Sequence, residues 1–212
     1  MKHIIFDLDG TLIDSAASII ESMKHALDEC GHQPIIEITN AIIGPPLPIA
    51  LSRVTGIQDV NEINRMISVF KSYYDSNGYQ KAQPYTDIEQ VLQQLNSDGY
   101  LLSIATNKRF VPTEKIIQHL SWAKYFKEIY AIDKRAIPFK NKSEMIAVLL
   151  QQLAVNPQEA IYVGDRHEDY IAASENSLCF IHAEWGYEEE IGKHQYAYAA
   201  NVPGSLIKQV CY

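Results

Sequence analysis

Short apolar runs of β-type residues alternate with helical spacing along most of this chain, and that alternation restricts the fold more than any other feature. The runs are His3 to Phe6, Leu101 to Ala105, Glu128 to Ile132, Ala160 to Val163 and Leu178 to Ile181. Such runs suit strands buried on both faces, with intervening helices supplying the crossovers that parallel strands require. Ile88, Val91, Leu92 and Leu95 follow i, i+3, i+4, i+7 spacing, and Met145, Leu149 and Leu153 recur every four residues after Lys142-Ser143. Both patterns predict helices packed on a sheet. The expected class is α/β, with a Rossmann-like parallel sheet core. A chain of 212 residues can hold one moderate domain, or a core with a smaller insertion.

The segment from Ser15 to Gln83 departs from the alternation. It has helical stretches around Ile20 to Cys30 and Ile63 to Tyr74 and no convincing buried strand. Between them, Ile43-Gly44-Pro45-Pro46-Leu47-Pro48 cannot continue a helix, because each proline lacks an amide donor and restricts the residue before it. Ser76-Asn77-Gly78 and Pro84-Tyr85 carry turn chemistry suited to a hinge. These features predict a core of residues 1–14 and 84–212 interrupted by a helical insertion at 15–83.

Charge and cysteine usage narrow the partners. With 18 Lys and Arg against 26 Asp and Glu the net charge is -8, which repels phosphate backbones and anionic membrane surfaces, and no local basic cluster overrides it. Neither a nucleic acid polymer nor a membrane is expected as a partner. Cys30, Cys179 and Cys211 are odd in number, far apart and in no metal-binding spacing, so a reducing, cytoplasmic setting is expected. The apolar run after Met1-Lys2 is broken by acids before a signal-peptide core could form. No apolar stretch approaches the roughly 18 residues of a membrane helix.

Chemistry concentrates where the first run ends, in Asp7-Leu8-Asp9-Gly10-Thr11. In an extended segment residues i and i+2 share a side, so Asp7 and Asp9 can present two carboxylates together at the carboxyl end of a strand, where open parallel sheets bind ligands. Gly10 lets the backbone turn sharply and approach a bound group. Two adjacent carboxylates require a cation or a shared proton, and a metal is the simpler solution. An ordinary Asx turn would explain an isolated motif of this kind equally well.

The longer stretch Asp7-Leu8-Asp9-Gly10-Thr11-Leu12-Ile13-Asp14-Ser15 resembles the first motif of the haloacid dehalogenase-like hydrolases in their phosphatase form. Thr106-Asn107, Lys142 in Asn141-Lys142-Ser143-Glu144, and Val163-Gly164-Asp165-Arg166-His167-Glu168-Asp169 resemble the second, third and fourth motifs, in order. The resemblance implies Mg²⁺-dependent hydrolysis of a small phosphorylated metabolite, of the phosphoglycolate or nucleotide monophosphate kind, by a monomer or homodimer. Asp7 would be the nucleophile and Asp9 the acid and base. Mg²⁺ would be held by the Asp7 side chain, the Asp9 backbone carbonyl and Asp165. Thr106 and Asn107 would hold phosphoryl oxygens together with Gly10 and Thr11, and Lys142 would offset their charge. Lys140 competes with Lys142 for the third-motif role. Asp169 would stand behind the ligands, orienting Lys142 or a metal-bound water.

Competing readings attach to several of these residues. Asp165 with Glu168 also fits a helix capping box. Arg166 and His167 read as exposed loop residues, and Tyr73, Tyr74 and Tyr79 as packing residues. The insertion would be a helical cap, with Gly44 and Arg53 its candidate substrate contacts, although an interhelical turn and a surface charge explain these two as well. A β-phosphoglucomutase-like mutase and a non-catalytic binding protein share the core motifs. The Gly44-Pro45-Pro46-Leu47 loop is unlike the mutase cap loop, and Asp9 argues against a dehalogenase.

Overall fold

A computed structural model describes residues 3–187 and 196–210. Six strands form one sheet: β1 (His3–Phe6), β2 (Leu101–Thr106), β3 (Phe126–Ala131), β4 (Ala160–Gly164), β5 (Cys179–Ala183) and β6 (Ala199–Ala200). Every pairing in it is parallel, and the spatial order is β3-β2-β1-β4-β5-β6. The order reverses beside β1, whose Phe6 is level with Ile104 of β2 on one side and Val163 of β4 on the other. This is the doubly wound arrangement, in which the crevice at the reversal lies outside the carboxyl ends of the strands. β1 to β5 grow from the apolar runs; β6 has two residues and is too short to carry a periodic signal.

Helices cover the sheet because their apolar stripes have nowhere else to go. Of the flanking helices, α4 (Ile88–Ser97) buries Ile88, Val91, Leu92 and Leu95. In α6 (Lys142–Gln152), Met145, Ile146, Leu149 and Leu150 are buried in one cluster with Ile5, Ala105 and Tyr162 of the sheet. Each such Leu or Ile contributes about 1.5–3 kcal/mol when fully buried. Asn141 caps α6, its side chain accepting from the Glu144 amide at 2.9 Å. α5 (Phe110–His119), α7 (His167–Glu175) and α8 (Leu206–Val210) complete this layer.

The chain divides into two compact units, with boundaries after Asp14 and after Gln83. The unit between them is helical, with α1 (Ala16–Cys30), α2 (Leu47–Thr55) and α3 (Val60–Ser76). Met23, Ala26 and Leu27 of α1, Ala50, Leu51 and Val54 of α2, and Ile63, Met66, Phe70 and Tyr74 of α3 are among its buried residues. The proline run that cannot continue a helix instead begins one, since Pro46 is the N-cap of α2 and Pro48 lies in the first turn, where no amide partner is needed. Among the described residues no helix is long and apolar enough to cross a membrane. Cys30 is buried and Cys179 exposed; Cys211, like Met1 and Lys2, lies outside the described residues.

Candidate active site

Asp7 follows β1 directly, and its amide donates to Val163 O of β4 at 2.9 Å. β4 ends at Gly164, so Asp165 emerges next to Asp7 at the crevice where the strand order reverses. Asp169, in the first turn of α7, completes a buried triad: Asp7, Asp165 and Asp169 each offer a carboxylate oxygen, all within 4.8 Å of one another. Lys142, the first residue of α6, enters the same space. Its Nζ lies 3.1 Å from Asp7 Oδ2 and 2.5 Å from Asp169 Oδ1. Lys140 is exposed, and its backbone amide donates to Glu144.

The acids after Gly164 divide their work differently from the capping-box reading. The Arg166 amide at the head of α7 donates to Asp169 Oδ2 at 2.9 Å, so the capping carboxylate is Asp169; Glu168 is exposed and Asp165 precedes the cap. One Asp169 oxygen thus closes a helix end while the other holds Lys142. Arg166 and His167 are half-buried rather than exposed. The reason is local packing: the Arg166 guanidinium lies over the Tyr187 ring, and the His167 ring stacks on Tyr170.

Burial dominates the electrostatics. It pushes the Asp7 carboxyl up to about 6, with Lys142 opposing the rise. Burial, reinforced by Asp169 and Asp7, pushes Asp165 up to about 8. For Lys142 burial works against the charged form, but Asp169 and Asp7 outweigh it and hold the ammonium well above the ordinary lysine range. Asp7 Oδ1 is buried and finds no hydrogen-bond partner among the described residues. An unpartnered carboxylate oxygen beside two further buried carboxylates matches the all-oxygen donor set of a hard divalent cation such as Mg²⁺.

Asp9 is not one of these three carboxylates, although its charge adds to the rise at Asp7. Past Asp7 the chain leaves the ladder: the amides of Thr11, Leu12 and Ile13 all turn back to Leu8 O, and Gly10 has φ +85°. The i, i+2 rule for extended chain therefore ends at the turn. The Asp9 carboxylate pairs instead with Lys108, whose Nζ is 2.9 Å from Oδ1. Gly10 and Thr11, expected as substrate contacts, lie against Asp165. Thr11 is fully buried and its hydroxyl donates to Asp165 Oδ1 at 3.0 Å. A Cβ on Gly10 would meet Asp165 Oδ2 at 2.2 Å, so the missing side chain makes room for that acid. Both shape the bed of Asp165.

Thr106 is buried at the end of β2, its Oγ1 accepting from the Lys108 amide at 3.2 Å, and Asn107 is half-buried after it. Gly44 and Arg53 belong to the helical unit: Gly44 adopts φ +118° ahead of α2, and Arg53 is exposed in that helix's last turn.

Several residues that build the site carry no motif. The Tyr187 amide donates to Asp165 Oδ2 at 2.9 Å, the Trp185 indole to Thr11 O at 3.0 Å, and the Tyr187 phenol to Asp14 Oδ1 at 2.9 Å. Tyr162, beneath Lys142, donates to Ala105 O at 2.7 Å. The available signal was position alone, since Lys108 and Trp185-Gly186-Tyr187 follow the carboxyl ends of parallel strands, where ligands gather.

Residues 4–183 match the family model described as haloacid dehalogenase-like hydrolase. The chain is 31% identical over 185 residues to the tyrosine-protein kinase PtkA of Mycobacterium tuberculosis, covering 87% of this chain but only 62% of PtkA. It is 28% identical over 196 residues to a 5′-nucleotidase of Pseudomonas aeruginosa, covering 91% and 88% of the two chains. Among solved structures, the haloacid dehalogenase-like family protein SP0104 of Streptococcus pneumoniae superposes with a TM-score of 0.87 at 27% identity, over 99% of this chain and 98% of that one.

Proposed function

The chain belongs to the haloacid dehalogenase-like hydrolases, and on that premise we propose that it is a Mg²⁺-dependent phosphatase of a small phosphomonoester. The observation that carries the reading is the buried Asp7 carboxylate, one oxygen unpartnered and the other 3.1 Å from the Lys142 ammonium. In this reading an Asp7 oxygen attacks phosphorus while the bond to the leaving oxygen breaks and Asp9 gives that oxygen its proton. Water then attacks the aspartyl phosphate, Asp9 takes up the water's proton, and phosphate leaves with Asp7 restored. Thr106 and the Asn107 amide hold the phosphoryl oxygens, and Lys142 offsets the charge spread over them.

Asp7, Asp165 and the Asp9 backbone carbonyl would hold Mg²⁺, with Asp169 behind them orienting Lys142. When bound, the ion reduces the repulsion between an anionic nucleophile and an anionic phosphate. The unit 15–83 is the proposed cap, with Gly44 and Arg53 its candidate substrate contacts. The 5′-nucleotidase relative favours a nucleotide monophosphate, and the resemblance of Ile43-Gly44-Pro45-Pro46-Leu47 to the cap loop of phosphoglycolate phosphatase-like members favours a phosphoglycolate-like acid.

Release of p-nitrophenol from p-nitrophenyl phosphate, with and without Mg²⁺, tests the reading. Wild type should turn over only with the metal, and Asp7→Asn should lose all measurable activity while keeping its circular dichroism spectrum. Full activity in Asp7→Asn removes the covalent route. A panel of phosphorylated metabolites then fixes the substrate, and conversion of a sugar phosphate to its isomer would mark a mutase. The PtkA relative supports a second acceptor, tested by offering ATP and a tyrosine peptide in place of a monoester.

A further inference from the structure

Lys108 has no part in the chemistry set out above, yet its ammonium reaches from the end of β2 to the carboxylate beyond β1, 2.9 Å from Asp9 Oδ1 and 3.1 Å from Oδ2. The Lys108 side chain is 7% exposed and that of Asp9 13%. Lysine ammoniums normally stay in water, and one withdrawn this far needs a compensating anion. Its backbone is anchored too, since the Lys108 amide donates to Thr106 Oγ1 at 3.2 Å. The ammonium therefore starts from a fixed point on the sheet. Asp9 lies past the end of β1, in a turn whose backbone bridges to Ile13, so the two ends of the ion pair are held by different parts of the chain.

We propose that Lys108 is the positioning residue for Asp9. By spanning both carboxylate oxygens it fixes rotation about the Asp9 side chain and keeps the group turned toward the place where the leaving oxygen departs. This rests on the reading of Asp9 as the group that exchanges the proton. Lys108 touches neither phosphorus nor that proton. As the P–O bond breaks, the proton passes from one Asp9 oxygen to the leaving oxygen, while the other Asp9 oxygen stays on the ammonium. A small misplacement of a reacting group can cost about 100-fold in rate, so an anchor of this kind is worth a comparable factor.

Leaving groups of different basicity separate this role from a structural one. p-Nitrophenolate departs without a proton, whereas the alkoxide of β-glycerol phosphate must receive one. With Mg²⁺ present, Lys108→Met should slow the first step, read as pre-steady-state transfer of phosphate to Asp7, about 10–100-fold with β-glycerol phosphate and no more than about threefold with p-nitrophenyl phosphate, while the Asp9-assisted attack of water slows alike after either substrate. Lys108→Arg should restore most of the loss, and Lys108→Met should add nothing in an Asp9→Asn background. Equal slowing of that first step with both substrates, no slowing with either, or a rise in KM alone would overturn the proposal. Should Lys108→Met melt far below wild type, Lys108→Gln is judged by the same ratio. Wild type inactive on both substrates would refute the phosphatase reading itself and this inference with it.

Discussion

Lys142 and Asp169, 27 residues apart in the chain, meet at 2.5 Å in the floor of the site. The pair joins the first turn of α6 to the first turn of α7, and Asp7 sits on the other side of the same ammonium. Two buried carboxylates share one buried cation, so the balance is sensitive to its removal.

Lys142→Met should therefore destabilise the protein by about 3–5 kcal/mol, the range for breaking a buried ion pair. In a chain of this size that corresponds to a fall of about 6–20 °C in melting temperature, measured in EDTA. Asp169→Asn should fall less, because Asp7 still faces the ammonium. Activity in Lys142→Met should drop about 100- to 1000-fold, the usual loss for a group that stabilises charge in the transition state.

A divalent cation should relieve the same crowding from the acid side. At about 100 times its dissociation constant, Mg²⁺ should add about 2.7 kcal/mol of stability and raise the melting temperature by about 5–10 °C. Asp165→Asn should abolish the shift, while Glu168→Gln, altering an exposed acid, should retain it. A wild-type protein whose melting curve ignores Mg²⁺ would count against a metal at the triad.

Gly186 is a steric test of how Asp165 is seated. A Cβ there would lie 2.1 Å from Asp165 Cβ and 2.6 Å from Gly10 O, close to groups that cannot swing aside. Gly186→Ala should cost about 1–3 kcal/mol and weaken the Mg²⁺-dependent shift. Gly204→Ala, with nothing within 4 Å of the added carbon, should melt as wild type does.

His3 gives the fold a pH dependence separate from catalysis. It is fully buried in β1, within 2.9 Å of Ser103 Oγ, and burial lowers its pKa to about 4. The unfolded chain takes up this proton near pH 6.5, the folded chain only near pH 4, so stability is full above 6.5 and is lost as pH falls toward 4. Between pH 7 and 5, wild type should lose about 1–2 kcal/mol, after allowance for solvent screening, that His3→Gln does not. Urea titrations of both proteins at the two pH values measure the difference.

Local sequence determined the strands and the chemistry that leaves them. Apolar runs such as Ile4-Ile5-Phe6 can only be buried strands, and the acids, hydroxyl and amide that follow at Asp7, Thr106-Asn107 and Asp165 were legible because parallel strands deliver their carboxyl ends to one edge. The proline run hid a helix start, since prolines read as breaks unless their place in the first turn is known. Which residues touch was decided only by tertiary structure. Lys142, the first residue of α6, enters the triad, whereas Lys140 precedes the Asn141 cap and is exposed. Asp9 turns to Lys108, and Thr11 to Asp165, because the Gly10 turn ends strand alternation. These contacts span 27, 99 and 154 residues of chain. Periodicity reports which face a side chain takes within one element, but a distance between elements depends on how the whole sheet and its helices pack.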